Sequence, residues 1–230
     1  MVLRAGADGP ERQAALEAFC RNYWYPVYAF IRRRGAVPED AEDLTQAFFE
    51  RLIEKDWLAG VEREGARFST LLLTMLKRFL INEAEHRQSQ KRGGGRRFIP
   101  IELAEAERDF GTELTTHETP ERLFERRWAL AVLASAINVL FIEAEAAGKS
   151  RAFAVLSPFL SREPESHEYQ EAAETLGMTR GAVAVAVHRL RGRYREVLRE
   201  ELAAGAPPDP GDADDSMRAL WEALTGSSRA

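Results

Sequence analysis

The stretch "EAAETLGMTRGAVAVAVHRLRGRYREVL", residues 171–198, decides the fold of the C-terminal half of the chain. Its first part places Ala172, Ala173 and Leu176 on one face of a helix, because these positions follow the helical period of 3.6 residues. Gly177 then supplies the residue type that enters a left-handed turn at the least steric cost. The stretch therefore predicts a helix that stops at a glycine, turns and restarts.

Residues 178–183 also predict where the second helix begins and how it packs. Met178 is predicted to fill the core at the turn, Thr179 is a favoured N-cap for the second helix, and Val183 is predicted to pack back on the first helix. This layout is typical of a helix-turn-helix, whose second helix enters the major groove of DNA. An ordinary helical hairpin with a solvated basic face is the alternative.

The second helix combines a basic run with an apolar one. Residues 180–199 hold six arginines and one glutamate, which suits phosphate contacts. The segment "AVAVAV" at 182–187 has no polar side chain, so it can only contact thymine methyl groups or pack. We predict DNA binding mainly through phosphates, DNA shape and a few methyl contacts. The alternative is that this half of the chain is chiefly a protein-binding module.

Charge is distributed unevenly along the 230 residues, although the net charge is only −5. A second basic patch, 87–97, holds five Lys or Arg and no acid. The acidic patches are 39–54, with six acids and one arginine, and 209–230, with five acids and two arginines. Two basic and two acidic patches predict more than one polar partner.

The composition gives no support to catalysis, a metal site or a cofactor. The single cysteine, Cys20, permits no internal disulfide, and the four histidines lack metal-ligand spacing. We find no glycine-rich phosphate loop and no nucleophile motif. The N-terminus does not resemble a signal peptide, and the apolar run at 128–142 is short for a membrane span. We therefore predict that this run is a buried helix and that the protein is cytoplasmic.

Nearly every periodic stretch is helical, which predicts an all-α fold with two helical domains. The first domain is predicted at 1–95 and a polar connector at 96–119. The helix-turn-helix domain is predicted at 120–204, followed at 205–230 by a linker and a short amphipathic helix.

The stretch "PEDAEDLTQAFFERLIEK", residues 38–55, predicts a helix with two distinct faces. Its polar face is predicted to hold Glu39, Asp43, Gln46 and Glu50, with Phe49 and Ile53 on the flank. An acidic strip bordered by exposed apolar side chains is typical of a protein-binding surface. A plain solvated face is the alternative.

The order and spacing of these stretches strongly resemble an extracytoplasmic-function (ECF) sigma factor of bacterial RNA polymerase, over about residues 16–202. "DLTQ", Asp43 to Gln46, matches the D-x-x-Q signature of sigma region 2. "FSTLLLTMLKRFLINEAEHRQSQKR", from Phe68, resembles the end of that region, and the stretch 171–198 resembles region 4. The resemblance implies an all-α protein that is not an enzyme and that binds core RNA polymerase and promoter DNA.

The resemblance also implies roles for individual residues. Region 2 docks on the β′ clamp helices and holds the melted −10 element, while region 4 touches the β flap and reads the −35 element. The implied polymerase contacts are Glu39, Asp43, Gln46, Phe49 and Glu50. The implied DNA contacts are Lys77, Arg78, Arg87, Lys91, Arg92, Thr179, Arg180, His188, Arg189, Arg191 and Arg193. Trp57 and Phe68 are either stacking groups for a flipped base or buried anchors.

The chain departs from the family pattern in its recognition helix. Family members usually have a sequence like "GTVKSRLxRAR" where this chain has "GAVAVAVHRLR", which leaves Arg180, His188 and Arg189 as the polar contacts. Two alternatives to a sigma factor follow. One is a stand-alone helix-turn-helix regulator, and the other is a polymerase-binding adaptor with weakened promoter recognition.

The sequence offers three candidate regulators. One is an anti-sigma factor. Another is a kinase acting on Thr45, because a phosphate there would add negative charge to the docking strip; a structural threonine is the alternative. The third is the chain's own tail, where the helix predicted at 212–226 has an apolar stripe with Trp221 as its largest member. We predict that this tail docks on the helical body and partly masks region 4; a disordered end with a chance apolar stripe is the alternative.

Overall fold

The computed structural model of the protein describes residues 10–54, 68–89, 103–113, 117–203 and 212–225. These residues form helices joined by short turns and contain no β-strand, which confirms the predicted all-α fold. The helices are α1 (Pro10–Arg33), α2 (Pro38–Glu54), α3 (Phe68–Ser89), α4 (Leu103–Glu113), α5 (Pro120–Ala146), α6 (Ser150–Leu156), α7 (Ser166–Leu176), α8 (Arg180–Ala203) and α9 (Asp212–Thr225), with a 3₁₀ turn at Ser157–Leu160.

The ends of these helices follow from glycine and proline. Gly35 has a φ of 96° directly after α1, and Gly148 has a φ of 66° after α5, so both occupy the left-handed region that ends helices. Pro38 opens α2, where its missing N–H costs nothing and its fixed φ suits the first turn. Pro26 lies inside α1, which continues through it.

The chain divides into two compact units. Unit 1 comprises Met1–Ala131 and Leu202–Ala230, and unit 2 comprises Val132–Glu201. The boundaries therefore fall within α5 and α8. The domain limits drawn from linker composition stay a prediction.

The core of unit 1 is rich in aromatic side chains. In α1, the rings of Trp24 and Tyr28 stack at 4.8 Å. Phe48 of α2 meets Phe79 of α3 edge to face at 5.6 Å, and Phe30 of α1 meets Phe124 of α5 at 6.2 Å. Aromatic pairs in this geometry add to the large apolar area that each ring buries. They join α2 to α3, which carry the predicted sites, and α1 to α5.

Helix α4 lies within the stretch 96–119 that the sequence predicts as a polar connector. It packs on α1 and α2 and buries Ala106 and Phe110. Its Glu107 accepts hydrogen bonds from the Tyr28 hydroxyl at 2.5 Å and from the Arg32 guanidinium at 2.7 Å. The bond from Arg32 is the main reason that the pKa of Glu107 lies below its usual value. The connector therefore contributes a helix to the body of unit 1.

A buried carboxylate joins α4 to the start of α5. Glu113, at the end of α4, is buried and forms ion pairs with Arg126 and Arg127. Arg127 also lies over the Tyr25 ring at 4.9 Å, and Arg126 pairs with Glu118 at 2.8 Å. A buried charge needs such partners, because removal from water otherwise outweighs any contact it gains. Two arginines on successive positions supply them here.

The core of unit 2 is the helix-turn-helix itself. A cluster of buried apolar residues joins α6, the 3₁₀ turn, α7 and α8; its members are Leu156, Phe159, Ala172, Ala173, Val183 and Val187. The predicted packing of Ala172 and Ala173 on Val183 is therefore confirmed. Met178 does not fill this core, because it is one of the exposed large apolar residues. The turn is closed by backbone hydrogen bonds instead, so the side chain at this position stays outside.

Helix α5 is buried on one face only. It is the one helix among the described residues that is long and apolar enough to cross a membrane, a test that core helices also pass. Phe124 and Val132 are fully buried in the protein, as a core helix requires. The opposite face exposes the large apolar side chains of Leu130, Ile137 and Phe141, and Ile142 is exposed near the end of the helix. The prediction of a buried helix is therefore correct for one face and wrong for the other.

The C-terminal helix α9 forms as predicted and belongs to unit 1. Leu220 is buried, which gives the helix the surface that its apolar stripe requires. Trp221, the largest member of the predicted apolar stripe, is 66% exposed, so its ring adds little to the packing of this helix. The stripe is narrower than the sequence suggested. The masking of region 4 by this tail stays a prediction.

Candidate polymerase and nucleic-acid interfaces

The start of α2 presents an acidic surface. Glu39, Asp40 and Asp43 are exposed on its first two turns, and Glu50 is half-buried further along. The acids near the helix start are also stabilised by the helix dipole, which favours negative charge there. We call Glu39, Asp40 and Asp43 the acidic strip. It offers a concentrated negative potential to a basic partner.

Two predicted polymerase contacts lie inside the protein. Gln46 is only 8% exposed and Phe49 only 2%. The Phe49 ring contacts Phe19 of α1 edge to face at 6.3 Å. Their placement on an exposed face and its flank is therefore wrong. The physical reason is that α2 packs on α1, α3 and α4, so that more than one stripe of the helix is covered.

Thr45, the predicted phosphorylation site, is fully buried. Its hydroxyl donates a hydrogen bond to the Ala41 carbonyl oxygen at 2.7 Å, one turn earlier in α2. A hydroxyl in this position is satisfied within its own helix and is closed to an enzyme that acts on the folded protein. The hypothesis of a kinase switch at Thr45 is therefore wrong for the folded state.

One outward stripe of α3 is polar and includes an exposed arginine. Thr70, Thr74, Arg78 and Asn82 follow one another at intervals of one helical turn, and all four are exposed. The neighbouring Lys77 does not share this role, because its ammonium pairs with Glu121 of α5 at 2.9 Å. That hydrogen bond also lowers the pKa of Glu121. Arg78 is thus the predicted DNA contact on this helix that stands open to solvent.

Of the other candidate residues in region 2, one packs in the core and several lie outside the residues that the structure describes. Phe68 lies 5.7 Å from Phe19 and 6.3 Å from Tyr23, ring centre to ring centre, and so is an anchor of α3. Arg87 lies within α3. Trp57, Lys91 and Arg92 lie outside the described residues.

The single cysteine is buried and held in its thiol form. Cys20 is buried in α1, and burial, helped by the negative charge of Glu17, raises the pKa of its thiol to about 12. The thiol therefore stays protonated and is a poor nucleophile or metal ligand. Among the described residues there is also no group of three His, Cys, Asp or Glu side chains that could hold a metal ion.

The turn between α7 and α8 has the geometry of a helix-turn-helix. Gly177 has a φ of 64°, and the Met178 N–H donates to the Ala173 carbonyl at 2.9 Å, which closes α7. Thr179 then caps α8, because its hydroxyl oxygen accepts the Ala182 N–H at 3.2 Å. The predicted N-cap is therefore confirmed. Thr179 and Arg180 both face solvent at the start of α8.

Polar contacts fix the start of α7 beneath α8. Glu168 accepts hydrogen bonds from Arg162 at 2.6 Å and from the Glu165 N–H at 2.8 Å. These bonds, above all the one from Arg162, lower the pKa of Glu168 to about 2. Arg180 donates to the Ser166 hydroxyl at 2.7 Å, so that the first residue of α8 is tied to the first residue of α7. The orientation of α8 is set at its first turn.

The solvent face of α8 changes character along the helix. In the apolar segment Val183 and Val187 are buried, while Ala184 and Val185 are exposed. His188 and Arg189 are exposed immediately after them. Two of the predicted DNA contacts therefore lie beside the outward-facing apolar residues, as an interface with duplex DNA requires.

Arg191 is a structural residue. Its guanidinium donates to the Phe159 carbonyl at 2.9 Å and the Arg162 carbonyl at 2.6 Å, and it pairs with Glu163 at 2.6 Å. These bonds hold the turn after α6 against α8. Its donors are used inside unit 2, so these bonds argue against Arg191 as a DNA contact, which stays a prediction.

Arg193 is also engaged within unit 2. It pairs with Glu143 of α5 at 2.7 Å and with Glu196 and Glu200 of its own helix at 3.2 and 3.1 Å. These bonds raise the pKa of Arg193, and the bond from Arg193 lowers the pKa of Glu143. Three carboxylates surround one guanidinium, so the local charge is negative and the site is unsuited to phosphate. Arg193 as a DNA contact stays a prediction, and it would require the guanidinium to leave these carboxylates.

Two candidate DNA contacts were absent from the predicted site residues. Arg195 and Arg199 are exposed, and neither forms an ion pair with another described residue. The helical period could have found them, since 188, 192, 195 and 199 follow one stripe of α8. The predicted list instead followed neighbouring positions, 189, 191 and 193, which lie on different faces of a helix.

The family is decided by a match that spans both units. The family model described as ECF sigma factor matches residues 33–200, from the end of α1 through α2 and α3 to the helix-turn-helix. The chain belongs to the ECF sigma factor family. The sigma factor has a role in transcription initiation, in a family of non-enzymatic transcription factors whose partners are core RNA polymerase and promoter DNA. No curated protein and no solved structure matches the chain.

Proposed function

We propose that this sigma factor binds core RNA polymerase in the cytoplasm and directs it to promoters, with unit 1 acting as region 2 and unit 2 as region 4. The proposal rests on the family match, because the matched residues include both the exposed acidic strip on α2 and the outward-facing recognition helix, α8. A sigma factor must hold an enzyme and DNA at once, and these two surfaces differ in sign as that task requires.

The acidic strip is the proposed contact with the β′ clamp helices. Asp43 opens the D-x-x-Q signature and is exposed, while Gln46, which closes it, is nearly buried. We infer that Glu39 and Asp43 bind the polymerase and that Gln46 positions α2 from within the packed region. Glu50, which is half-buried, lies at the edge of this surface.

The exposed face of α5 in unit 2 is the proposed contact with the β flap. Ile137, Phe141 and Ile142 are exposed on neighbouring turns, with the Phe141 ring 6.0 Å from Phe153 of α6. Large apolar side chains grouped on a surface are typical of protein-binding sites. A purely DNA-binding module has no use for them, so they support a protein partner for this face.

The proposed DNA contacts are of two kinds. On α3, Arg78 and its exposed polar neighbours suit the backbone of the melted −10 strand, because one cation flanked by hydroxyl and amide groups can follow phosphates without sequence preference. On α8, Arg180, His188 and Arg189 suit the duplex at the −35 element. Arg87, Lys91 and Arg92 stay predictions for the melted strand.

Reconstitution with core polymerase tests the proposal. The purified chain is mixed with core enzyme and with DNA from upstream of its own gene, and run-off transcripts are measured. We expect transcripts that start at one position and that require both components. Core enzyme alone and the chain alone are the controls.

The same experiment separates the two alternatives. A stand-alone regulator would bind its DNA tightly in a gel shift without core enzyme and would give no transcript. A polymerase-binding adaptor would be retained on core enzyme and would likewise give no transcript; the apolar residues Ala184 and Val185 on the recognition face are the observation that favours this second candidate. An anti-sigma factor stays a prediction that neither result addresses.

A further inference from the structure

The outward-facing part of the apolar segment in α8 is small and well defined. Of its six residues, Val183 and Val187 are buried in the core of unit 2, while Ala184 and Val185 face outward. Val185 is 51% exposed and Met178, at the preceding turn, is 38% exposed. Val185 is therefore the principal methyl-bearing group on the first turns of the recognition helix.

The bases that such a group can recognise are few. A valine side chain neither donates nor accepts a hydrogen bond, so it cannot distinguish guanine, adenine or cytosine by their polar edges in the major groove. Thymine differs from the other bases because it carries a C5-methyl group there. Contact between methyl groups removes apolar surface from water and is lost when either methyl is absent. Val185 can therefore select thymine and no other base.

The charges around Val185 favour DNA over a protein as the occupant of this face. Arg189, Arg195 and Arg199 are exposed on the same helix, and none of them forms an ion pair with another described residue. These arginines follow the apolar contact along the helix. This order fits a DNA duplex, because phosphates flank the groove that the apolar residues would enter. An apolar protein surface would leave these cations without partners.

We propose that Val185 determines promoter specificity by packing against the C5-methyl group of a thymine in the −35 element, with Ala184 beside it. The inference rests on the proposed function, because it requires region 4 to bind promoter DNA. In this proposal the sigma factor recognises a base directly by apolar contact, while Arg189 and its neighbours bind the phosphates of the DNA backbone.

Deoxyuridine substitution tests this assignment, because uracil keeps the pairing edge and the O4 acceptor of thymine and lacks only the methyl group. Promoters are first selected from a library randomised upstream of the start site, using the holoenzyme formed from core polymerase and the full chain. Each thymine of the selected −35 element is then replaced by deoxyuridine. We expect one or two positions at which holoenzyme affinity falls about two- to fourfold, the factor that one buried methyl group supplies.

Protein variants connect that loss to Val185. In Val185→Ala holoenzyme, the difference between thymine and deoxyuridine at the sensitive position should disappear. Because Val185 is 51% exposed, this substitution leaves the core of unit 2 intact. Val185→Thr keeps one methyl group and should retain part of the difference. Arg189→Ala is the matched control: it should weaken binding to both DNAs equally and leave their ratio unchanged.

The outcomes separate this inference from the function on which it rests. If the holoenzyme selects promoters but no thymine is sensitive to loss of its methyl group, or if Val185→Ala leaves the ratio intact, the inference is wrong and the proposed function stands. If the holoenzyme selects no DNA while the chain binds core enzyme, promoter recognition and the inference fail together, and the adaptor is favoured.

Discussion

Helices α2 and α8 both carry a concentrated charge in the sequence, and they use it differently. In α2, Glu39 and Asp43 stand exposed at the helix start, and apolar side chains do the packing. In α8, Arg191 and Arg193 form hydrogen bonds and ion pairs with other parts of unit 2. Two acids at the start of α2 are thus exposed, while part of the basic run of α8 is already engaged within unit 2.

This difference shows why counting the arginines in a stretch of sequence overestimates the positive charge that the folded protein presents to nucleic acid. An arginine can leave the surface because its five donors satisfy several acceptors at once, as Arg191 does with two backbone carbonyls and Glu163. A short acid such as Asp43 has less reach and stays outside. Arg189, Arg195 and Arg199 of α8 are exposed and form no ion pair with another described residue, and the predictions below test this division.

The largest effect is expected from reversing the acidic strip. Glu39→Lys with Asp43→Lys should weaken binding to core polymerase on the order of a hundredfold, because like charges placed against a basic partner cost several kcal/mol. The measurement is equilibrium binding to core enzyme at fixed salt. The control is Glu125→Lys, a reversal at another exposed acid of unit 1. Equal losses for both variants, or no loss for either, would contradict the assignment of α2.

The second effect concerns stability. Arg191→Ala should lower the free energy of unfolding by about 2 kcal/mol, because it removes charge-assisted hydrogen bonds to two carbonyls and Glu163. Arg195→Ala is the matched control and should change stability by no more than about 0.5 kcal/mol. Denaturant titration of both variants measures the difference. Equal stability would mean that Arg191 is not the structural member of the basic run.

Most of the fold was predictable because glycine and proline mark the helix ends. Gly35, Pro38, Gly148 and Gly177 each stand at a predicted boundary and occupy it in the structure. Helix α4 was missed because Pro100 and Gly111 suggested a connector. Its Leu103, Ala106 and Phe110 nevertheless follow a helical period, and that signal could have found it.

The candidate sites were less predictable, because they depend on neighbours distant in the sequence. One helical wheel divides α2 into two faces, but α2 has three neighbouring helices, and Gln46 and Phe49 are covered as a result. Arg191 and Arg193 find acids 28 and 50 residues away, at Glu163 and Glu143. No local pattern in the sequence contains that information.

The third prediction uses the salt dependence of DNA binding to distinguish an arginine that contacts phosphates from one that is paired within the protein. Arg189→Ala should weaken holoenzyme binding to promoter DNA about fivefold at physiological salt and reduce the slope of log affinity against log salt by about one, the loss of one phosphate contact. Arg193→Ala should leave the slope unchanged, because its guanidinium is held by Glu143, Glu196 and Glu200. If both variants changed the slope equally, Arg189 and Arg193 would contact DNA alike, and the distinction between them would be wrong.

The smallest effect is a pH dependence at the contact between α5 and α8. Hydrogen bonds from Arg193 hold the pKa of Glu143 below its usual value, so the folded state favours the charged carboxylate. This contribution is present above the ordinary pKa of glutamate and is lost as the pH falls through the lowered pKa of the folded state. Both side chains are more than a third exposed, so solvent screening limits it to about 0.5 kcal/mol.

Carboxyl NMR titration resolves an effect of this size directly. The pKa of Glu143 should rise toward its usual value in Arg193→Ala and stay low in Arg195→Ala, because only Arg193 contacts this carboxylate among the residues described. Stability at neutral pH should fall slightly in Arg193→Ala, and that difference should vanish in acid, where Glu143 is neutral in both proteins. An unchanged titration in Arg193→Ala would show that the guanidinium is free in solution. Arg193 would then return to the DNA-binding face beside Arg189, and the division of α8 into engaged and available arginines would rest on Arg191 alone.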